Sequence, residues 1–160
     1  MLRLSKLTDY ATVVLAHMAT APDALHSAAE VAACTHLTPA TVSKVLKALT
    51  RAGLVSSFRG AQGGYVLARA PGRISAADII DAMEGPVGIT ECSTDHSLCE
   101  LEAICKTSHA WQRINRAIRR ALGEVTLAEL GRPAAFRPPA FQLTTSAAGK
   151  AATPAKPTGL

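Results

Sequence analysis

The segment from residue 27 to residue 54 most constrains the fold, because start and stop signals of two short helices lie close together in it. Ser27 and Glu30 form an S-x-x-E capping box, which predicts the start of the first helix. Thr38 precedes a proline, which is typical of a second helix start, and Gly53 can supply the left-handed residue that ends it. The four residues "CTHL" between the helices predict a tight turn. The segment therefore predicts a helix-turn-helix.

A β-hairpin is predicted directly after this motif. Two runs of strand-forming residues, Leu54–Arg59 and Tyr65–Arg69, flank a glycine-rich tip at Gly60–Gly64. A hairpin in this place would be the wing of a winged helix-turn-helix domain. Only 4% of the residues are aromatic, whereas 48% are apolar, so the core of this domain must consist mainly of Ala, Val, Ile and Leu.

Two further helices are predicted on either side of this unit. Before it, apolar residues recur at helical spacing between Leu7 and Met18, and Ser5 is a plausible cap. After it, Ser75 and Asp78 form a second capping box at the start of "SAADIIDAMEG". Both helices are amphipathic, so we expect each to pack one face on the core of the winged domain.

A long amphipathic helix is predicted from about Thr107 onward. Its apolar residues share one side, namely Trp111, Ile114, Ala117, Ile118, Ala121 and Leu122. Because this helix lies outside the compact winged domain, its apolar side needs a partner, and a twin helix in a second subunit is the simplest one. We therefore expect a homodimer. The alternative is that the helix folds back on its own domain.

The expected fold is mostly α with a small β-hairpin wing, arranged in three parts. Residues 1–86 form the winged helix-turn-helix domain, residues 87–131 the cysteine-containing loop and dimerisation helix, and residues 132–160 a tail. The tail is rich in Pro, Ala, Ser and Thr without any period, so we expect it to be disordered. No apolar stretch reaches the roughly 18–20 residues that a membrane span needs. The helical period in the N-terminal segment argues against a signal peptide, so we expect a cytoplasmic protein.

Positive charge is concentrated in the first half of the chain. Residues 1–70 hold seven Lys and Arg against three Asp and Glu, whereas residues 71–131 hold six against nine. On the second helix of the motif, the face opposite the predicted core is small near its start and basic further along, which suits the major groove of DNA. Arg59, at the base of the wing, is placed to reach a minor groove or a phosphate. The predicted contacts to double-stranded DNA are Thr38, Ala40, Thr41, Ser43, Lys44, Lys47, Arg51 and Arg59.

Three of the four cysteines lie in "ECSTDHSLCELEAICKTSHAWQ", with the spacing C-x6-C-x5-C. The C-x2-C pair of zinc ribbons and thioredoxin-like sites is absent from the sequence. A disulfide would leave one thiol over, and a reducing compartment disfavours it. An iron–sulfur cluster is larger than a single ion and tolerates wider spacing, and three cysteines would leave one ligand position to another residue. The fourth cysteine, Cys34, is expected to be a small buried residue.

Three stretches of the sequence match a known family. They are "RLSKLTDYA", "LTPATVSKVLKALTRAGLVSSFRGAQGGYVLAR", and the three-cysteine segment followed by a tryptophan-containing helix and "VTLAEL". Through them the chain resembles the bacterial winged-helix regulators of the IscR and NsrR type, a group of iron–sulfur cluster regulators and nitric-oxide sensors. The resemblance spans about residues 1–131, and the wing sequence "RG-x-x-GGY-x-LAR" is its most specific part. Within the group, the chain resembles in particular the regulators of the SUF cluster-assembly operon.

The resemblance implies a homodimeric regulator, most simply a repressor, that binds a dyad operator. It further implies that Cys92, Cys99 and Cys105 hold an iron–sulfur cluster, and that the loss or oxidation of this cluster changes the affinity for DNA. Because the cysteine loop lies between the wing-side helix and the dimerisation helix, its ordering could set the separation of the two DNA-binding surfaces.

Two residues compete for the fourth ligand position that the resemblance implies. In family members with a two-iron cluster, a His commonly follows the third Cys by three positions, but here Ser108 stands there and His109 comes one residue later. In other members, an acidic residue on the first helix of the partner subunit completes a four-iron cluster, and Asp9 matches that place. We name His109 as the fourth ligand and Asp9 as its rival, with His96 and Glu102 as more remote alternatives. The number of irons stays open.

Other functions stay open on sequence grounds. The same DNA-binding regulator could use its thiols as a redox or nitric-oxide switch without a stable cluster. A winged-helix module that binds only protein is a second alternative, which the exposed basic residues of the predicted recognition helix disfavour. The sequence does not assemble the nucleophile, base and pocket of an enzyme, so we expect neither catalytic residues nor a small-molecule substrate.

Overall fold

The computed structural model describes residues 3–60, 62–90, 93, 99 and 104–132. Along this part of the chain the elements are α1 (Lys6–Met18), α2 (Ala28–Thr35), α3 (Pro39–Arg51), β1 (Val55–Phe58), β2 (Gly64–Leu67), a 3-10 helix (Pro71–Arg73), α4 (Ala76–Glu84), α5 (Ser108–Glu124) and α6 (Leu127–Leu130). The predicted fold class, mostly α with a two-stranded hairpin, is confirmed. None of the helices in these ranges is both long and apolar enough to cross a membrane. Of the predicted tail, only Arg132 lies within the described residues.

Side-chain caps fix the two helices of the predicted helix-turn-helix. The hydroxyl of Ser27 accepts a hydrogen bond of 3.1 Å from the backbone N–H of Glu30, and the Glu30 carboxylate completes the capping box. The hydroxyl of Thr38 accepts a hydrogen bond of 3.3 Å from the N–H of Thr41 at the start of α3. Gly53 follows α3 with a φ of +72°, the left-handed conformation that glycine adopts without strain. These three sequence signals, the capping box, the Thr38 cap and Gly53, therefore act where they were predicted.

The turn between α2 and α3 is shorter than predicted. Because α2 continues to Thr35, Cys34 lies in its last turn, and His36 ends the helix with a φ of +55°. Cys34 is exposed, so the expectation of a buried cysteine is wrong. The reason is its place on α2, whose core-facing residues are Val31 and Ala32.

The predicted hairpin is present: β1 lies inside its predicted run, whereas β2 begins one residue before its predicted run, at Gly64. β1 pairs with β2 in antiparallel register, from Val55 opposite Leu67 to Phe58 opposite Gly64. A further backbone bridge, which the sequence did not predict, joins Tyr65 of β2 to His26, with two N–H···O hydrogen bonds of 2.8 Å. The wing is therefore attached to the segment that leads into α2.

The chain returns to the winged domain after α5. Leu127 of α6 is fully buried in the main core, and its N–H donates a hydrogen bond of 2.7 Å to the carbonyl of Ile74. Thr126 and Glu129 form a capping box at the start of this short helix. This core also contains side chains of α1, α2, α3, α4 and both strands, among them Leu15, Val31, Leu46, Ile79, Val55 and Leu67. The division of the chain at residues 86 and 131 stays a prediction.

Candidate DNA-contact surface and cysteine segment

The buried side of α3 fixes which of its residues face outward. Val42, Val45, Leu46 and Leu49 are fully buried in the core, as the sequence predicts. Helical geometry then turns Lys44, Lys47 and Arg51 away from the core, and all three are exposed. The predicted basic face of α3 is therefore present on the surface of the molecule.

Small residues surround the N-terminus of α3. Thr38 and Ala40 are exposed, whereas Thr41 and Ser43 are half-buried. The hydroxyls of Thr38 and Thr41 lie 2.8 Å apart, and Thr38 also caps the helix. This end of α3 combines short side chains with the positive end of a helix dipole, which favours close approach of an anionic backbone.

The wing lies beside the basic face and forms a shallow groove with it. Lys47 of α3 and Ser57, Phe58, Arg59 and Tyr65 of the wing line this groove. Arg59 is exposed, as expected for a residue that contacts DNA. Phe58 was missed as a surface candidate although 56% of it is exposed. The alternation of side chains along β1 could have revealed it, because Val55 points into the core and Phe58 is three residues further on.

The cysteine segment is described only in part. Cys92, with the remote candidates His96 and Glu102, lies outside the described residues. Cys99 and Cys105 are partly exposed and neither is in a disulfide. The hydroxyl of Thr107 lies 3.2 Å from the Cys105 sulfur, and this hydrogen bond, followed by one from the Thr107 backbone N–H, lowers the pKa of the Cys105 thiol. Lowering this pKa favours the thiolate, which is the form that binds iron.

The two candidates for the fourth ligand are both exposed. His109 lies in the first turn of α5, and Asp9 lies in the first turn of α1. Among the residues that the structure describes, the predicted ligands Cys99, Cys105, His109 and Asp9 are not gathered into a ligating group of three. The ligand set of the cysteine segment therefore stays a prediction.

A buried asparagine attaches the start of the cysteine segment to α5. Asn115 is 5% exposed, and its side-chain amide donates hydrogen bonds of 3.1 Å to the carbonyl of Val87 and 2.8 Å to that of Ser93. On α4, Asp81 accepts a hydrogen bond of 3.1 Å from the Val87 N–H and pairs with Arg119 of α5 at 2.6 Å. The sequence carried a signal for Asn115, since it is a polar residue on the apolar side of an amphipathic helix. Ser93, the neighbour of Cys92, is therefore fixed to α5, and Val87, earlier in the same loop, is fixed to both α4 and α5.

The family follows from a comparison with known proteins. The Rrf2 family, described as iron-dependent transcriptional regulators, matches residues 4–133 of this chain. The chain belongs to the Rrf2 family. Its resemblance to the IscR and NsrR type of regulator is thereby confirmed at the level of the family, and the winged-helix fold with it.

Solved structures of other Rrf2-type regulators resemble this Rrf2 chain over most of its length. CymR, the global cysteine regulator of Bacillus subtilis, is 32% identical, with 82% of this chain and 97% of that chain covered and a TM-score of 0.62. IscR of T. potens is 28% identical, with 81% and 85% covered and a TM-score of 0.58. Both similarities extend well beyond the helix-turn-helix.

Curated relatives match a shorter part of the Rrf2 chain. An HTH-type transcriptional regulator of Neisseria meningitidis serogroup A is 44% identical over 79 residues, which are 49% of this chain and 53% of that protein. The chain thus spans about half the length of the curated relatives that it matches first. These relatives are named as transcriptional regulators, in agreement with the prediction that the chain is not an enzyme.

Proposed function

We propose that this Rrf2-family protein is a cytoplasmic, homodimeric transcriptional repressor that binds a dyad DNA operator. The exposed basic face of α3, with Lys44, Lys47 and Arg51 opposite a fully buried stripe, carries this proposal. A helix with this layout can enter the major groove while its cations meet phosphate oxygens. Arg59 on the neighbouring wing adds a cation at the same surface, so α3 and the wing can grip one half-site together.

We further propose that Cys92, Cys99 and Cys105 hold an iron–sulfur cluster, with His109 or the partner subunit's Asp9 in the fourth position. The described thiols fit this role, because Cys99 and Cys105 are outside any disulfide and hydrogen bonds favour the thiolate of Cys105. When bound, such a cluster supplies chemistry that responds to iron, oxidants and nitric oxide. By resemblance, we propose the SUF cluster-assembly genes as the regulated targets.

We propose that the contacts of Asn115 link the cysteine segment to the DNA-contact surface. Asn115 holds the carbonyl of Ser93, next to Cys92, against α5, while Asp81 joins the same loop to α4. α4 in turn packs on α3 and α1. A change in the order of the cysteine segment would therefore shift α4 and α5 relative to each other, and with them the two α3 helices of a dimer.

A second copy of the chain is the proposed cover for the apolar side of α5. Trp111 and Ile114 are 40% and 42% exposed, although they belong to the same stripe as the half-buried Ile118 and Leu122. The side of α5 that contacts α4 includes the Arg119–Asp81 ion pair, and this contact with its own domain half-buries Ile118 and Leu122 but leaves Trp111 and Ile114 exposed. A two-fold axis along α5 would bury the stripe of one subunit against that of the other.

Anaerobic purification of the full chain tests the cluster proposal. We expect a coloured protein that contains iron and acid-labile sulfide, and whose affinity for its own promoter DNA changes when the cluster is removed. A Cys105→Ser variant should lose the iron and the DNA response, whereas Cys34→Ser, a control at an exposed cysteine outside the segment, should keep both. Iron-free protein with unchanged affinity for DNA would contradict the cluster while leaving DNA binding intact.

A thiol switch without a cluster is the second candidate function. The lowered pKa of the Cys105 thiol favours it, because the thiolate is also the form that oxidants and nitric-oxide donors attack. The same purification separates the two proposals. A colourless protein whose affinity for DNA changes after mild oxidation, and recovers after reduction, would support the thiol switch.

A further inference from the structure

Two histidines and a glutamate lie close together at the segment that pairs with the wing. They are His17 near the end of α1, His26 in the loop before α2, and Glu30 in the first turn of α2. One ligand atom of each lies within 4.8 Å of the other two. The two imidazole rings are 5.5 Å apart between centroids, in an edge-on arrangement. Among the residues that the structure describes, this is the one group of three potential metal ligands.

The hydrogen bond of His26 determines which of its ring nitrogens is available. Nε2 lies 3.1 Å from the carbonyl oxygen of Ala21, and because a carbonyl can only accept, Nε2 must carry the proton. In the neutral ring, Nδ1 then presents a lone pair. Metal-binding histidines characteristically hold their second nitrogen on a backbone carbonyl in this way, which fixes the tautomer and the orientation of the ring.

Two buried ring nitrogens of this cluster have no hydrogen-bond partner among the residues that the structure describes. His26 is 4% exposed, and its Nδ1 has no hydrogen-bond partner among the described residues, although the Glu30 carboxylate lies 3.7 Å away. Nε2 of His17 is likewise buried without a hydrogen bond from the described part of the chain. Unpaired buried polar atoms are costly, so two of them in one cluster with a carboxylate call for a bound species.

We propose that His17, His26 and Glu30 form a binding site for a divalent transition-metal ion of the Zn²⁺ type. Two imidazole nitrogens and one carboxylate oxygen are a donor set that such ions bind, with a fourth position left for water. Around a tetrahedral ion with ligand bonds of about 2.0–2.1 Å, donor atoms are separated by roughly 3.4 Å. The donor atoms, which lie within 4.8 Å of one another, therefore need to close by up to about 1.4 Å, which rotations of the partly exposed His17 and Glu30 side chains can supply. The exposed side of Glu30 also gives the ion a path from solvent.

An ion at this site would brace the wing against the helix-turn-helix. The backbone of His26 pairs with Tyr65 of β2 through two hydrogen bonds of 2.8 Å. Gly64 makes this approach possible, because a Cβ there would lie 2.7 Å from the His26 carbonyl oxygen. The ion would join α1, the loop before α2, and α2 itself at the point where the wing is attached.

Metal titration of the full chain tests the proposal without reference to DNA or to an iron–sulfur cluster. A variant with Cys34, Cys92, Cys99 and Cys105 all changed to Ser removes the competing thiols, and its titration with Zn²⁺ and Co²⁺ should show one ion per chain. The visible absorption of bound Co²⁺ should indicate nitrogen and oxygen ligands. His26→Gln and Glu30→Gln should each weaken binding by about 100-fold or more, since the loss of an outer partner of a ligand already costs 10–100-fold.

Two features keep this experiment decisive. Glu30→Gln preserves the capping box of α2, because Gln can replace Glu there, so circular dichroism should show an intact fold. His36→Asn is the matched control, since it removes an exposed histidine whose left-handed conformation Asn tolerates, and it should leave metal binding unchanged. If Zn²⁺ and Co²⁺ do not bind, or if they still bind to both the His26→Gln and the Glu30→Gln variant, the proposed site is wrong. This result would not depend on whether the cysteine segment holds a cluster.

Discussion

Lys47 is the residue at which the two halves of the proposed DNA-contact surface meet. It is exposed on α3 and also lines the groove that the wing forms with Ser57 and Arg59. We expect Lys47→Ala to weaken operator binding by about 5–10-fold. The slope of log affinity against log salt concentration should also fall by about 1, the contribution of one phosphate contact. Fluorescence anisotropy at several salt concentrations measures both effects.

The control for this substitution is Arg120→Ala. Arg120 is an exposed cation on α5, away from α3 and the wing, so its removal should change neither affinity nor salt dependence beyond the effect of net charge. Equal losses in both variants would mean that the basic face of α3 makes no specific contact with phosphate.

Single residues were predictable where their partners lie close in sequence. The caps at Ser27 and Thr38 and the left-handed Gly53 depend on residues within one or two helical turns, so the sequence alone identified them. His26 was missed because its contacts with His17 and Tyr65 come from tertiary packing. Cys34 was misplaced for a related reason, since only the packing of α2 decides which side of the helix is exposed.

At the scale of elements, the short helix α6 contributes to stability through one buried leucine. Leu127 is fully buried in the core, whereas Leu130 of the same helix is 39% exposed. Leu127→Ala should lower the free energy of unfolding by about 2–4 kcal/mol, because it leaves a cavity in the core where α6 packs on α1 and the 3-10 helix. Leu130→Ala is the matched control and should cost less than about 1 kcal/mol. Urea denaturation followed by circular dichroism compares them, and similar costs would contradict the packing of α6.

A four-residue helix is too short to show a hydrophobic period, which is why α6 could not be predicted from periodicity. Its capping box at Thr126 and Glu129 was a local signal, but only the backbone bridge to Ser75 shows where the helix packs. α3 is the opposite case, because four apolar residues over 13 positions define its buried face in advance. Long elements with contacts close in sequence could thus be predicted, whereas the packing of a short element with distant contacts could not.

The junction of α1 and α4 depends on one carboxylate. Glu84, at the end of α4, accepts hydrogen bonds from the hydroxyl of Thr8 and, at 2.7 Å, from the backbone N–H of Ser5. These bonds, the Thr8 hydroxyl first, lower the pKa of Glu84 below its ordinary value of 4.5. Because the pKa of Glu84 is lower in the folded than in the unfolded protein, its charged form stabilises the fold at pH values above the unfolded pKa. This stabilisation is lost as the pH falls through the pKa of the folded state.

Glu84→Gln tests this junction. We expect the substitution to cost about 0.5–1 kcal/mol at neutral pH, a modest value because Glu84 is exposed and its charge is screened. The difference between wild type and variant should stay constant down to about pH 5 and shrink below it, since the wild-type carboxylate becomes protonated. Thermal unfolding from pH 7 to pH 3 measures the difference. A difference that does not depend on pH would show that the charge of Glu84 is not involved.

At the scale of the whole molecule, α5 has two different sides. Its polar contacts, Arg119 with Asp81 and Asn115 with the loop after α4, fix it to its own domain. Its apolar stripe continues from the half-buried Ile118 and Leu122, which share a groove with Ile80, to the exposed Trp111 and Ile114. The sequence predicted the stripe, but the polar contacts that orient it were beyond reach because they join distant segments.

The exposed end of this stripe should control the oligomeric state, and Ile114→Glu tests it. Ile114 is 42% exposed in the single chain, so a carboxylate there should leave the fold and thermal stability of the subunit nearly unchanged. In a dimer the same carboxylate would be buried without a partner, and we expect sedimentation equilibrium to show a monomer. Affinity for a dyad operator should fall by about 100-fold or more, because the two half-sites are no longer bound by linked modules. Arg120→Gln, on the far side of α5 from the stripe, should remain dimeric. A dimeric Ile114→Glu variant with normal affinity would show that another surface joins the subunits.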